Sequence, residues 1–95
     1  MQIIFSNIYQ KDKNKLIAKN HLLEDKITQT EELVQKEITN PKLRLHKINC
    51  KKDKNRYSIT IINTQYRILV TICDNIATFY RLLDHNKYDR YNKNC

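Results

Sequence analysis

Two arginines and a histidine stand out in the second half of this 95-residue chain: Arg67, Arg81 and, four positions after it, His85. A guanidinium presents a planar fork of donors that matches phosphate oxygens, and an imidazole exchanges protons near neutral pH. Metal-free cleavage of RNA requires groups of this kind. The 2′-hydroxyl attacks the adjacent phosphate, so one proton is taken, one is given to the leaving 5′-oxygen, and charge on the phosphoryl oxygens is stabilised. Lys51, Lys52 and Lys54 could hold the substrate backbone, a contact that gives affinity without sequence choice. Tyr88 or Tyr91 could stack on a splayed base. Plainer readings stand beside these. Arg67 and Arg81 could pair with Asp74 or Asp84, the lysines could be merely solvated, and His85 could be an ordinary surface residue. The spacing does not separate proton donor from acceptor, because His46, His85 and Asp84 all qualify; His46 and His21 read first as structural, although His46 precedes the lysine-rich loop.

The charge supports a polyanion partner. The formal net charge is +8, and residues 1–40 carry six lysines against six acids, so they contribute none of it. Residues 41–95 carry seven Lys and five Arg against four Asp, which is the whole excess. A basic half on a neutral scaffold is the electrostatic footprint of a nucleic-acid binder.

Two periodicities describe the elements that must position these groups. From Ile8 to Ile38 the apolar residues recur at helical spacing, which predicts two amphipathic helices. A break near Lys19-Asn20 would let Asn20 cap the second helix, with Glu24 and Asp25 in its first turn, and Asn40-Pro41 would end it. Gln2 to Phe5 reads as a short strand. After Pro41 the period becomes two, and Tyr57–Ile62, Tyr66–Ile72 and Ile76–Leu82 read as strands joined by short polar turns. A weaker strand covers Leu43 to Lys47, and Lys47 to Arg56 reads as a mobile loop. The fold class expected is α+β, β-α-α-β-β-β with a short C-terminal tail or helix, in one domain spanning 1–95: two N-terminal helices on one face of a small, mainly antiparallel sheet. Alternation puts Tyr66, Ile68, Val70 and Ile72 against the helices and Arg67, Leu69 and Thr71 on an open face. Both faces of the third meander strand are partly apolar. If Ile76, Tyr80 and Leu82 face the helices, Ala77, Phe79 and Arg81 join Arg67.

Cys50, Cys73 and Cys95 are odd in number, far apart and form no C-x-x-C pair, so no disulfide framework is expected. The three histidines are equally scattered, and no metal or other cofactor is expected. No apolar run approaches the roughly 20 residues of a membrane helix, and no signal peptide opens the chain, which points to the cytoplasm and to no membrane partner.

Four segments resemble the RelE/ParE toxins of bacterial type II toxin-antitoxin systems, in family order and spacing: Asn40-Pro-Lys-Leu-Arg-Leu-His-Lys-Ile48, Tyr57-Ser-Ile-Thr-Ile-Ile62, Gln65-Tyr-Arg-Ile-Leu-Val70 and Leu83-Asp-His-Asn-Lys-Tyr88. The resemblance implies a RelE-like fold with a concave active face and a cognate antitoxin that wraps and inhibits the toxin. In its RNase branch it implies entry into the ribosome and cleavage of mRNA there. It assigns Arg67 from the Tyr-Arg-Ile strand, Arg81 and His85 from a YafQ-like ending, and Tyr88 as the aromatic residue after that histidine. Family members usually have a glycine before the first meander strand, whereas this chain has none. The expected activity is therefore a ribosome-dependent mRNA endonuclease. The alternatives are a ParE-like gyrase-inhibiting toxin without nuclease chemistry and an inactive relative that only binds.

Overall fold

The computed structural model describes residues 1–93 and 95. Its elements are β1 (Gln2–Phe5), α1 (Asn7–Lys19), α2 (Leu23–Lys36), a 3-10 turn (Pro41–Leu43), β2 (His46–Lys47), β3 (Arg56–Thr60), β4 (Arg67–Cys73), β5 (Ile76–Leu83) and α3 (His85–Lys93). The strands form one sheet in the order β1-β5-β4-β3-β2. All neighbours are antiparallel except β1 and β5, which run parallel. Among the described residues no helix is long and apolar enough to cross a membrane.

Ser6 caps the start of α1 and Asp84 that of α3, while the asparagines cap elsewhere than spacing alone suggested. Asn20 closes α1, its N–H donating to the Leu16 carbonyl at 2.9 Å. Its side chain accepts from the Leu22 N–H, while α2 starts without a side-chain cap and keeps Glu24 and Asp25 in its first turn. The helix ends at Lys36, and Asn40 instead caps the 3-10 turn that Pro41 opens. That turn, followed by Arg44 at φ 48°, shortens the strand expected over Leu43 to Lys47 to His46–Lys47. With no glycine in the chain, positive φ falls to residues that tolerate it: Asn63 at 58°, and Asp74 and Asn75 at 51° and 62° in the two-residue turn between β4 and β5.

The main core lies between the two N-terminal helices and the sheet. Tyr9, Ile27 and Val34 meet Ile59, Ile68, Val70, Ala77 and Phe79, all fully buried. Phe5, Tyr9 and Phe79 pack ring to ring with centroids 5.2–5.6 Å apart. Helix pairing is polar as well: the Tyr9 hydroxyl donates to Glu31 Oε2 at 2.7 Å, and Lys13 donates to the same carboxylate at 3.1 Å. Burial and that carboxylate push the Tyr9 phenol far above its ordinary value.

The alternation expected for β4 holds, with Ile68 and Val70 on the helices. In β5 it does not, because a β-bulge intervenes: Val70 pairs with Phe79 and Leu69 with Arg81, leaving Tyr80 as the extra residue. Ala77 and Phe79 therefore face the helices and not the other side, and parity flips so that Leu82 also faces them. Arg81 reaches the expected face all the same.

That face is not open. Helix α3 folds back over it, and a second apolar cluster forms from Ile48, Cys50, Leu69 and Leu83 with Tyr88, Tyr91 and Cys95 packed against them. Contrary to the sequence reading, Cys50 and Cys95 are joined in a disulfide, their Cα atoms 4.8 Å apart across a separation of 45 residues, while Cys73 is free and exposed. Spacing gave no hint because the pair meets only once α3 has crossed the sheet. The Lys47 to Arg56 loop is correspondingly pinned, by this bond and by the burial of Ile48.

One buried hydroxyl joins the layers. Thr30 Oγ1 donates to the Lys26 carbonyl at 2.7 Å and accepts from the Ile62 N–H at 3.1 Å, tying α2 to the end of β3. Thr30→Val keeps the shape but leaves that N–H without its partner, so denaturant unfolding should show a loss of about 1–3 kcal/mol.

Candidate active site and nucleic-acid interface

Sheet register sets the candidate residues in two rows. His46, Ser58, Leu69 and Arg81 are successive cross-strand partners. The next row holds Thr60, Arg67 and Leu83. Directly opposed residues share a face, so His46, Arg67 and Arg81 all lie on the side that α3 crosses. The middle of that side is sealed: Ser58 and Leu69 are 0% exposed, and Ser58 Oγ has no hydrogen-bond partner. Its margins are accessible, with Arg67 half-buried and His46 and His85 exposed.

The two arginines differ in what holds them. Arg67 opens β4 after a turn in which Thr64 Oγ1 accepts from the Tyr66 N–H at 3.1 Å. Among the described residues its guanidinium makes one weak contact, Nη1 to the Tyr66 carbonyl at 3.4 Å, and no ion pair. Arg81 is engaged on both sides. Its Nε and Nη2 donate to Asp12 at 2.8 and 3.3 Å, and its guanidinium carbon lies 5.7 Å from the centre of the Tyr91 ring. The Asp12 hydrogen bond raises the Arg81 pKa further above its ordinary value, against a smaller opposing effect of burial. The partner is thus an α1 carboxylate and neither Asp74 nor Asp84.

His85 is the first residue of α3, and its Nε2 lies 3.4 Å from Asp89 Oδ2, one turn on. Tyr88, the residue read as a base-stacking platform, meets a different histidine: its hydroxyl is 3.3 Å from His46 Nε2. His46 Nδ1 is 3.1 Å from the Arg44 carbonyl, which can only accept. In the neutral ring Nδ1 therefore carries the proton and Nε2 accepts from Tyr88. The structure so brings together Tyr88 and a histidine that sequence reasoning read first as structural while keeping it among the proton-transfer candidates. The missing signal was the pairing of β2 with β3, which no residue type announces.

Lys51, Lys52 and Lys54 lie on the exposed loop before β3. Asp53 fixes this loop by accepting from the Asn55 N–H at 2.9 Å, from Arg56 Nε at 3.2 Å and from the Thr71 hydroxyl. The lysines beside it consequently project from a folded turn. Burial raises the Asp53 pKa, but the bonds from Thr71, Asn55 and Arg56 outweigh it and hold the carboxyl below the usual carboxylate range. Among the described residues no three His, Cys, Asp or Glu gather in a way that could hold a metal ion.

No protein-family model matches the sequence, and no curated protein does. Solved structures do. YafQ from E. coli strain BL21(DE3) superposes with a TM-score of 0.72 over 92% of this chain and 96% of its own, at 17% identity. The chain has the RelE-like fold. YafQ in the E. coli DinJ-YafQ complex gives 0.73 over 90% and 94% at 18% identity. A chain of the RelB-RelE antitoxin-toxin complex from Methanococcus jannaschii gives 0.61 over 93% and 96% at 21% identity. The RelE-like sheet and its two N-terminal helices are what these structures share with this chain. Its arginines, histidines and tyrosines must be judged on their own geometry.

Two outcomes follow. Because the folded Asp53 pKa is depressed, its contribution to stability is present above the ordinary carboxylate pKa and lost as pH falls through the folded value. Asp53→Asn should therefore be less stable than the parent at neutral pH, and the gap should close as thermal melts are taken into acid. Opening the 45-residue cross-link with Cys95→Ser should lower stability by about 2–4 kcal/mol in denaturant titrations against the oxidised parent.

Proposed function

We propose that this chain is the toxin of a type II toxin-antitoxin pair, acting in the cytoplasm as a metal-independent, ribosome-dependent endoribonuclease that cuts mRNA by attack of a 2′-hydroxyl on the adjacent phosphate. The observation that carries the reading is an arginine without an ion pair, Arg67, on the same sheet side as an exposed imidazole already hydrogen-bonded to a tyrosine, His46 with Tyr88. Register adds a second imidazole, since Arg67 pairs with Leu83, two residues before His85. The RelE-like fold and the basic second half of the chain agree with it.

In this mechanism Arg67 stabilises charge on the phosphoryl oxygens, the role for which a free guanidinium fork is suited. His46 and His85 divide the two proton transfers. His46 is held in one tautomer by the Arg44 carbonyl, and its Nε2 exchanges a proton with Tyr88 or substrate. Arg81, neutralised by Asp12, adds positive charge only as far as that pair leaves it unspent. Lys51, Lys52 and Lys54 hold the strand by its phosphates. The reaction belongs at the margin of α3, where these groups meet solvent, and not over the sealed centre at Leu69. The cognate antitoxin would bring an acidic or amphipathic segment to this basic side, as the antitoxins in the DinJ-YafQ and RelB-RelE complexes suggest by analogy.

Induced expression with primer extension on a translated mRNA tests the reading. Arg67→Ala should reduce cleavage by about 10²–10³-fold, and His46→Ala and His85→Ala each by about 10²-fold or more, in variants shown to be folded. Growth arrest with intact mRNA would move the function to gyrase or another target.

A further inference from the structure

Two basic cavities flank one tyrosine on the β5 and α3 side of the molecule. The first, about 400 Å³, is lined by Lys52, Arg56, Tyr80 and Tyr91, with Cys95 at its wall. The second, about 340 Å³, is lined by Arg81, Lys87, Arg90 and the same Tyr91, with Leu83 beneath. Among the described residues five cationic side chains line the pair and no Asp or Glu side chain does. Two of the arginines are engaged in part by carboxylates: Asp53 takes Arg56 Nε and leaves the buried Nη1 with no acceptor, and Asp12 takes Nε and Nη2 of Arg81, while Asp84 lines the adjoining cavity with Arg81 and Lys87.

The ridge between the cavities is a run of flat groups whose two rings are tilted 59° to each other. The Arg56 guanidinium lies 4.9 Å from the Tyr80 ring centre, the Tyr80 and Tyr91 rings are 6.1 Å apart, and Arg81 covers Tyr91 at 5.7 Å. The Tyr91 hydroxyl donates to the Tyr80 hydroxyl at 3.0 Å, which fixes the two rings relative to each other.

We propose that this ridge and its two cavities form a track for single-stranded RNA, in which consecutive phosphates enter the Lys52–Arg56 and Arg81–Lys87 cavities and an unpaired base stacks on the tyrosine and guanidinium planes between them. Alternating basic hollows and flat faces are what a single strand needs, since its phosphates are charged and its base faces exposed. An acidic peptide would use the charge but has no use for the planes, and a duplex hides the faces they would take. The choice of RNA over DNA rests on the proposed function. The track shares Lys52 and Arg81 with the substrate contacts proposed above but not Arg67, His46 or His85, and would hold the strand while those three act.

The test is fluorescence anisotropy with a labelled single-stranded 2′-O-methyl oligoribonucleotide of about eight nucleotides, which cannot be cut because the nucleophile is blocked. Tyr91→Leu should weaken binding about tenfold or more with little change in salt dependence, and Tyr91→Phe should keep most of the affinity. Lys52→Gln with Lys87→Gln should flatten the slope of log affinity against log salt by about 0.7 per lysine. Lys36→Gln with Lys42→Gln, the same charge change beside a different cavity at the end of α2 and the 3-10 turn, should do neither. The proposal is overturned if Tyr91→Leu and the Lys52 and Lys87 pair both bind like the parent, or if poly-glutamate competes as well as RNA. Oligonucleotide binding that depends on Tyr91, in a protein that cuts no mRNA, upholds the track and sinks only the nuclease reading. Cleavage that needs Arg67, with binding indifferent to the track variants, sinks the track and the phosphate contact given to Lys52, and leaves the nuclease reading standing.

Discussion

The shift of register between Leu69 and Val70 governs both sides of the sheet at once. One extra residue in β5 lets Phe79 stay in the aromatic cluster with Phe5 and Tyr9, while Tyr80, Arg81 and Leu83 turn toward α3. Without it, strict alternation from Phe79 would bring Arg81 into the helix-packed core, where an unpaired guanidinium cannot be accommodated. The bulge is thus what permits an apolar half-strand that closes one core and a polar half-strand that faces the other side.

The upper half of β5 has a second requirement, because β1 ends at Phe5 and leaves that edge without a neighbouring strand. Helix α1 supplies the substitutes. Ser6 Oγ donates to the Tyr80 carbonyl at 2.9 Å, and Asp12 accepts from the Leu82 N–H at 3.1 Å, so side chains do what a longer β1 would have done. A carboxylate placed there for the backbone attracts Arg81, and the ion pair follows from the edge. This explains why the arginine of the Arg81-to-His85 ending is half neutralised, while Arg67, interior to the sheet, makes no ion pair among the described residues.

Period carried a good part of this into the sequence. The helices over α1 and α2, the faces of β4 and the Asp74-Asn75 turn are local, set by residues within a few positions of one another, and the sequence shows them. The bulge in β5 has no residue signature here, as there is no glycine to mark it and both faces of the strand are partly apolar. Asn20 and Asn40 show the limit of cap reading: each is a good cap, but the type alone does not say which neighbouring element it serves. The return of α3, the Cys50–Cys95 bond and the meeting of His46 with Tyr88 depend on contacts 42 to 45 residues apart in sequence, where spacing is silent. The strand placing Arg67 was legible, and the histidine beside Tyr88 was not.

Helix α3 is polar along most of its length, with no buried residue of its own, yet it stays against the sheet. What holds it is the patch beneath. Ile48, Leu69 and Leu83 would face water if the helix left, and Tyr88, Tyr91 and Cys95 cover them. Covering this patch stabilises the fold and also closes the centre of the face, so the same contact both builds and restricts the site. If RNA is the ligand, as proposed, a strand has only the margin, where Arg67 and His85 lie by the Leu83 row, His46 on the β2 side, and Arg56, Tyr80 and Tyr91 by the Lys52 loop. An extended polymer can engage these groups together and a mononucleotide cannot, so the covered centre itself favours a chain as the ligand over a small molecule.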